Sequence, residues 1–144
     1  MNDQLRTYQQ MHISGLNQKE LIVLLYSGAL RYIEEGKESI ARKDVPSTHD
    51  NLNKARNIFI HLLSTLNMDA NKEFATRLSA LYAYFIEKIT VGNVKKDIKE
   101  LDDIIPLIQD IKDAWDKIEI DDGTMPNAKK ASGLKPLRVF STEV

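Results

Sequence analysis

Residues 17–44 read NQKELIVLLYSGALRYIEEGKESIARKD, and the spacing of the apolar members decides the fold. Leu21, Leu25, Ala29, Tyr32, Ile33 and Ile40 recur at three- and four-residue intervals, which gives a helix one broad face to bury. Asn17 with Glu20 three residues on supplies a side-chain oxygen for orphan N–H groups and a carboxylate against the helix dipole, so the helix starts there. It ends near Lys43 and Asp44.

Pro46 then sits where a first helical turn tolerates a missing N–H, and Leu52, Ala55, Ile58, Phe59, Leu62 and Leu66 carry a second stripe that stops near Asn67. Asp69 or Asn71 can cap a third helix, whose Phe74, Leu78, Leu81, Phe85 and Ile89 keep one side, with Gly92 and Asn93 as its exit. A fourth is expected from about Val94 to Ile120, with Val94, Ile98, Leu101, Ile105, Ile108, Ile111, Trp115 and Ile118 as the seam. Pro106 lies inside it and cannot bond to the Asp102 carbonyl, so a bend rather than an end is expected. No segment alternates with the period of a half-buried strand. Short connections between long helices make antiparallel neighbours, and the expected fold is all-α: an up-down-up-down four-helix bundle over residues 1–120.

Two segments flank the bundle. Leu5, Tyr8 and His12 fall at helical spacing in a stretch too short to be stable alone, which must dock or fray. Residues 121–144 lose the apolar period and gather Gly and Pro, and are expected to be a flexible tail. Within it Leu137, Arg138, Val139 and Phe140 are read as part of a tolerated disordered end in preference to a recognition segment.

Composition narrows the function. The 144 residues carry a formal charge of −1 with both signs interleaved, which lacks the footprint of a nucleic-acid binder. The N-terminus has no apolar signal core, and the longest apolar run, residues 21–26, is far short of a membrane span. With no cysteine, disulfides and thiolate chemistry are excluded, and a reducing cytoplasm is the expected compartment.

Catalytic signatures are missing. The residues three before His12, His49 and His61 are Gln9, Pro46 and Ile58, so the Glu-x-x-His pairs of a carboxylate-bridged metal enzyme do not occur. His61 lies beside the second stripe, where a lone histidine reads as a partly buried core residue. No phosphate-cradling glycine loop or His-Glu-x-x-His motif is present, so no catalytic, cofactor-binding or metal residue is assigned. Glu34-Glu35 and Asp102-Asp103 are adjacent, and adjacent helical side chains diverge by about 100°, so they read as solvated faces.

What remains points to binding. Gly28 and Gly36 each cost a helix about 1 kcal/mol relative to alanine. Close approach of a partner would justify that cost, and packing inside the bundle, the favoured account, would do so equally. Ile22, Tyr26 and Leu30 form a second apolar line beside the first, more than one seam needs. Such a surplus face is covered by the N-terminal segment, by a second chain, or by an amphipathic peptide.

Tyr8-Gln9, the run from Leu21 through Leu25-Tyr26-Ser27-Gly28-Ala29-Leu30, Leu52-Asn53-Lys54-Ala55 with Ile58, Leu81-Tyr82-Ala83-Tyr84, Asn93-Val94-Lys95-Lys96-Asp97 and Ala114-Trp115 stand in this order. In that order and at those separations the chain resembles the FliS family across about Leu5 to Ile118. The resemblance implies a cytoplasmic export chaperone that binds the C-terminal region of flagellin, prevents premature polymerisation and assists delivery to the flagellar type III export apparatus and its gate components. It implies no enzyme activity, nucleotide or metal. It gives Leu5 and Tyr8 a covering or gating role, for which a simple N-terminal staple is an equal alternative, and makes Ile22, Tyr26, Gly28 and Leu30 candidate partner contacts. Asn17 stands where the family often has proline, and a second N-terminal tyrosine common in the family is missing, so docking of the N-terminal segment stays open. Asn93 and Asp97 read as a helix start. The alternatives are a bundle that associates with itself, so that monomer and homodimer both stay open, and a regulatory chaperone with a different client.

Overall fold

The structure, a computed structural model, describes residues 17–69 and 71–117. Among these residues every regular element is helical: α1 Gln18–Ala41, α2 Val45–Ser64, α3 Lys72–Lys95, α4 Ile98–Asp102 and α5 Ile105–Lys117. The N-terminal segment bearing Leu5 and Tyr8, and the tail from 121, lie outside the described residues.

Local chemistry sets most boundaries. The Asn17 side chain accepts from the Glu20 N–H at 2.8 Å while the Glu20 carboxylate accepts from the Asn17 N–H at 3.1 Å, closing the capping box. The chain leaves α1 through Lys43 in the left-handed region, φ 61°. Asp44 then accepts from the Ser47 N–H, with Pro46 in the first turn of α2. Of the two candidate caps for α3 it is Asn71 that accepts, from the Phe74 N–H.

Neighbouring helices run in opposite senses. Ser39 meets Ser47 at one end of α1 and α2, and Tyr26 meets Phe59 nearer the other. His49 meets Asn93 across α2 and α3, and Phe59 meets Tyr82. Lys37 reaches Asp102 while Lys19 reaches the Asp116 carbonyl, so the last rung runs against α1. The predicted stripes supply the buried core, including Ile33, Leu52, Phe59, Phe85, Ile108 and Trp115, each at most 1% exposed. Gly36 is accounted for here: a Cβ on it would stand 2.5 Å from Leu52 Cδ2, so its bareness lets α1 and α2 close together.

The last rung departs from expectation in two ways. Gly92 and Asn93 do not end α3, which runs on to Lys95, and Val94 is 76% exposed rather than part of a seam. The turn is made by Lys96 in the left-handed region (φ 54°), after which Asp97 caps α4 by accepting from the Lys99 N–H. Asp97 is therefore the helix start and Asn93 belongs to the preceding helix, where its side chain accepts from Lys96 Nζ at 2.9 Å. Gly92 serves packing: a Cβ there would lie 2.9 Å from Leu101 Cδ2.

Pro106 interrupts the rung instead of bending it. Without an N–H at 106 and with its ring crowding the Asp102 carbonyl, the ladder lapses. The Ile104 N–H takes the tighter bond to Leu101 O at 3.2 Å, and α5 restarts with the Ile108 N–H on Ile104 O. The proline sits in the new first turn, where it costs little.

Candidate partner-binding surface

The structure buries Ile22, Tyr26 and Gly28 and leaves Leu30 half-buried against the core. Tyr26 is a hub. Its hydroxyl lies 2.5 Å from that of Tyr82 and also hydrogen-bonds the Trp115 indole, which joins α1, α3 and α5 at one point. Phe59 packs between, with ring centroids 6.5 Å from Tyr26, 5.9 Å from Tyr82 and 5.0 Å from Phe85. Burial pushes both phenols above their ordinary range, because a phenolate here would lose its water. In the closed bundle these buried residues support a surface from beneath, and the hydroxyl chain specifies how three helices meet.

His61 is half-buried, as read from the sequence, and desolvation lowers its pKa. The paired acids diverge. Asp102 takes Lys37 of α1 at 2.6 Å, while Asp103 takes Lys88 of α3 at 3.0 Å, so α4 is held from both walls. Lys88 also holds Glu100 at 2.7 Å, and its pKa is raised by these partners, Glu100 first and Asp103 second. Among the described residues no group of three or more His, Cys, Asp or Glu is placed to hold a metal, and no helix is long and apolar enough to cross a membrane.

The outward faces differ in kind. α1 turns Glu20, Arg31, Glu34 and Glu38 to solvent, and α5 turns Gln109, Asp110, Asp113 and Asp116. α2 presents His49, Asp50 and the 38% exposed Ile60. Between residues 80 and 94, α3 presents exposed Ala80, Ala83, Tyr84 and Val94 and half-buried Val91, with Glu87 the one exposed charged side chain in that stretch, and Lys72, Glu73 and Lys95 exposed at the helix ends. Residues 80, 84, 87, 91 and 94 follow a 4-3-4-3 spacing opposite the buried stripe. The sequence held this signal as a second periodic line on the third helix. It was hidden because Val94 was assigned to the following helix and Ala80 and Ala83 are too small to mark a stripe.

Fold and surface together define a helical-bundle protein whose accessible chemistry is that of contact along a helix. The family model described as flagellar protein FliS matches residues 1–122, and the chain belongs to the FliS family. It is similar to the flagellar secretion chaperone FliS of Vibrio cholerae serotype O1, 32% identical over 122 residues, which cover 82% of this chain and 90% of that one. It is likewise similar to the flagellar secretion chaperone FliS of Bacillus subtilis strain 168, 32% identical over 108 residues, covering 75% and 80%. The flagellar secretion chaperone FliSB of Pseudomonas aeruginosa is 30% identical over 118 residues, covering 79% and 94%.

Proposed function

We propose that this protein is a non-enzymatic, cytoplasmic export chaperone that binds the C-terminal region of flagellin, prevents its premature polymerisation and assists its delivery to the flagellar type III export apparatus. The observation that carries the reading is the FliS family match across residues 1–122, which takes in the whole bundle. The physics supports it: an unassembled subunit end with amphipathic helical potential gains by folding onto a rigid helical surface, and its ordering cost keeps the complex releasable. In this reading Leu5 and Tyr8 cover the partner's path. Leu30 contributes contact at its half-buried edge, and Ile22, Tyr26 and Gly28 shape the face from within.

The test is isothermal titration with a peptide covering the last helical region of flagellin from the same source. Saturable binding with a clearly negative heat-capacity change is expected, as apolar surface is buried on coupled folding. Absence of binding at peptide concentrations up to the millimolar range would remove flagellin as the client.

A further inference from the structure

We infer that the outward stripe of α3 is a docking seam for one amphipathic helix of the export client, a helix with apolar residues at alternating four- and three-residue intervals and a lysine or arginine near its middle. This deepens the proposed function and rests on it. The seam runs from Ala80 to Val94, about 21 Å of helix. Ala80 and Ala83 are exposed and small, which lets a second helix axis come close. Tyr84, 39% exposed, offers a broad ring with a polar tip, and Val91 and Val94 extend the apolar line. A solvated helix face has no need of this composition, and the outward face of α5, which is mostly charged, does not share it; α1 is charged at Glu20 and from Arg31 to Glu38, with half-buried Leu21, Leu24 and Leu30 between.

Charge chooses the occupant. In a symmetric pair of identical chains, residue i meets j and j meets i. The midpoint of 80 and 94 is 87, so an antiparallel pair centred on this stripe brings two Glu87 carboxylates together, and an in-register parallel pair does the same. Like charges at the centre of an apolar contact disfavour a second copy. A different helix with a basic residue at its centre meets Glu87 with the opposite sign and keeps the apolar contacts on either side. The flanks are mixed: on one edge Thr76 is uncharged and Thr90 accepts from Arg56 Nε of α2 at 3.1 Å, while on the other edge Lys95 is exposed and Lys88, 5.9 Å from the Tyr84 ring centroid, is paired with Glu100 and Asp103 of the last rung, so Glu87 is the acidic group left at the centre of the seam.

The experiment uses the full-length chain and the flagellin C-terminal peptide of the preceding titration. Ala83→Arg puts a long charged side chain into the seam, and Glu87→Lys reverses its central charge. Both positions are exposed, and both new residues are good helix formers, so thermal melts should match the wild type. Ala83→Arg is expected to weaken binding by about tenfold or more, and Glu87→Lys by roughly threefold or more, as central contacts do. Glu38→Lys on the outward face of α1 is expected to stay within about twofold of wild type, as a rim change away from the contact does. Wild-type binding with Ala83→Arg and Glu87→Lys unchanged would overturn the seam and leave the client reading in place. No binding by the wild type would overturn the client reading and the seam with it. A concentration-dependent dimer that Tyr84→Ala abolishes would make a second copy the occupant and overturn the assignment.

Discussion

Among single residues, Gly36 and Tyr26 show how little of a side chain's role follows from its type. Gly36 reads as a flaw in a helix until Leu52 is seen against it. Gly36→Ala should gain about 1 kcal/mol of helix propensity and lose about 1–3 kcal/mol to overpacking against a fully buried leucine, for a net destabilisation seen in urea unfolding. Tyr26 reads as a surplus apolar position, yet its hydroxyl ties Tyr82 to Trp115. Tyr26→Phe should cost about 1–3 kcal/mol, because it strands two buried polar groups while leaving the ring in place. Trp115→Ala, at a site 1% exposed, should cost roughly 3–5 kcal/mol by the same denaturation measurement. A Trp115→Ala loss below 1 kcal/mol would contradict its place in the core.

Elements show where sequence is informative. The starts of α1 and α2 were legible because capping is local: Asn17 with Glu20, and Pro46 in a first turn, each announce themselves within one helical turn, whereas the start expected at Val94 falls at Ile98, with Asp97 alone of the Asn93 and Asp97 pair as its cap. The end of α3 was not legible. Lys96 makes the turn in a left-handed conformation that lysine seldom adopts, and Gly92, which looked like a terminator, is a notch for Leu101. The break at Pro106 was read as a bend because the apolar period continues through it, and period does not report whether the backbone ladder does. Short α4 carries ion pairs to α1 and α3, and these give a pH signature. Lys88 and Lys99 on Asp103 hold its carboxyl below the usual range, so its contribution is present above about pH 4 and lost as pH falls through the lowered value. Lys88 has a raised pKa, so its contribution is present below about pH 10 and lost as pH climbs past the raised value. In Lys88→Met both limbs of a stability-against-pH curve should be shallower, with little change of shape between pH 5 and 9. Unaltered limbs, measured by urea midpoints, would show that the pairs contribute nothing to folding.

For the whole molecule, the all-helical architecture and its main stripes were plain in the sequence, since apolar period alone dictates which faces are hidden. The contact surface was less so, because periodicity marks what is apolar without saying which of two lines faces inward. The line through Ile22 and Tyr26 went to the core, and the one through Tyr84 and Val91 stayed outside. That exchange is set by the positions of helices far apart in sequence. The outermost example is Lys19, whose Nζ donates at 2.8 Å to the carbonyl of Asp116, 97 residues later. Synthesis runs from one end, so the first rung leaves the ribosome long before the chain that closes against it exists. Trp115 and Ile111 are among the last core side chains to emerge, and until then α1 must keep an apolar flank open to water. A protein of this family, whose relatives are named for escorting another chain, is thus itself exposed to capture while it is being made, and is whole only once its final rung is free.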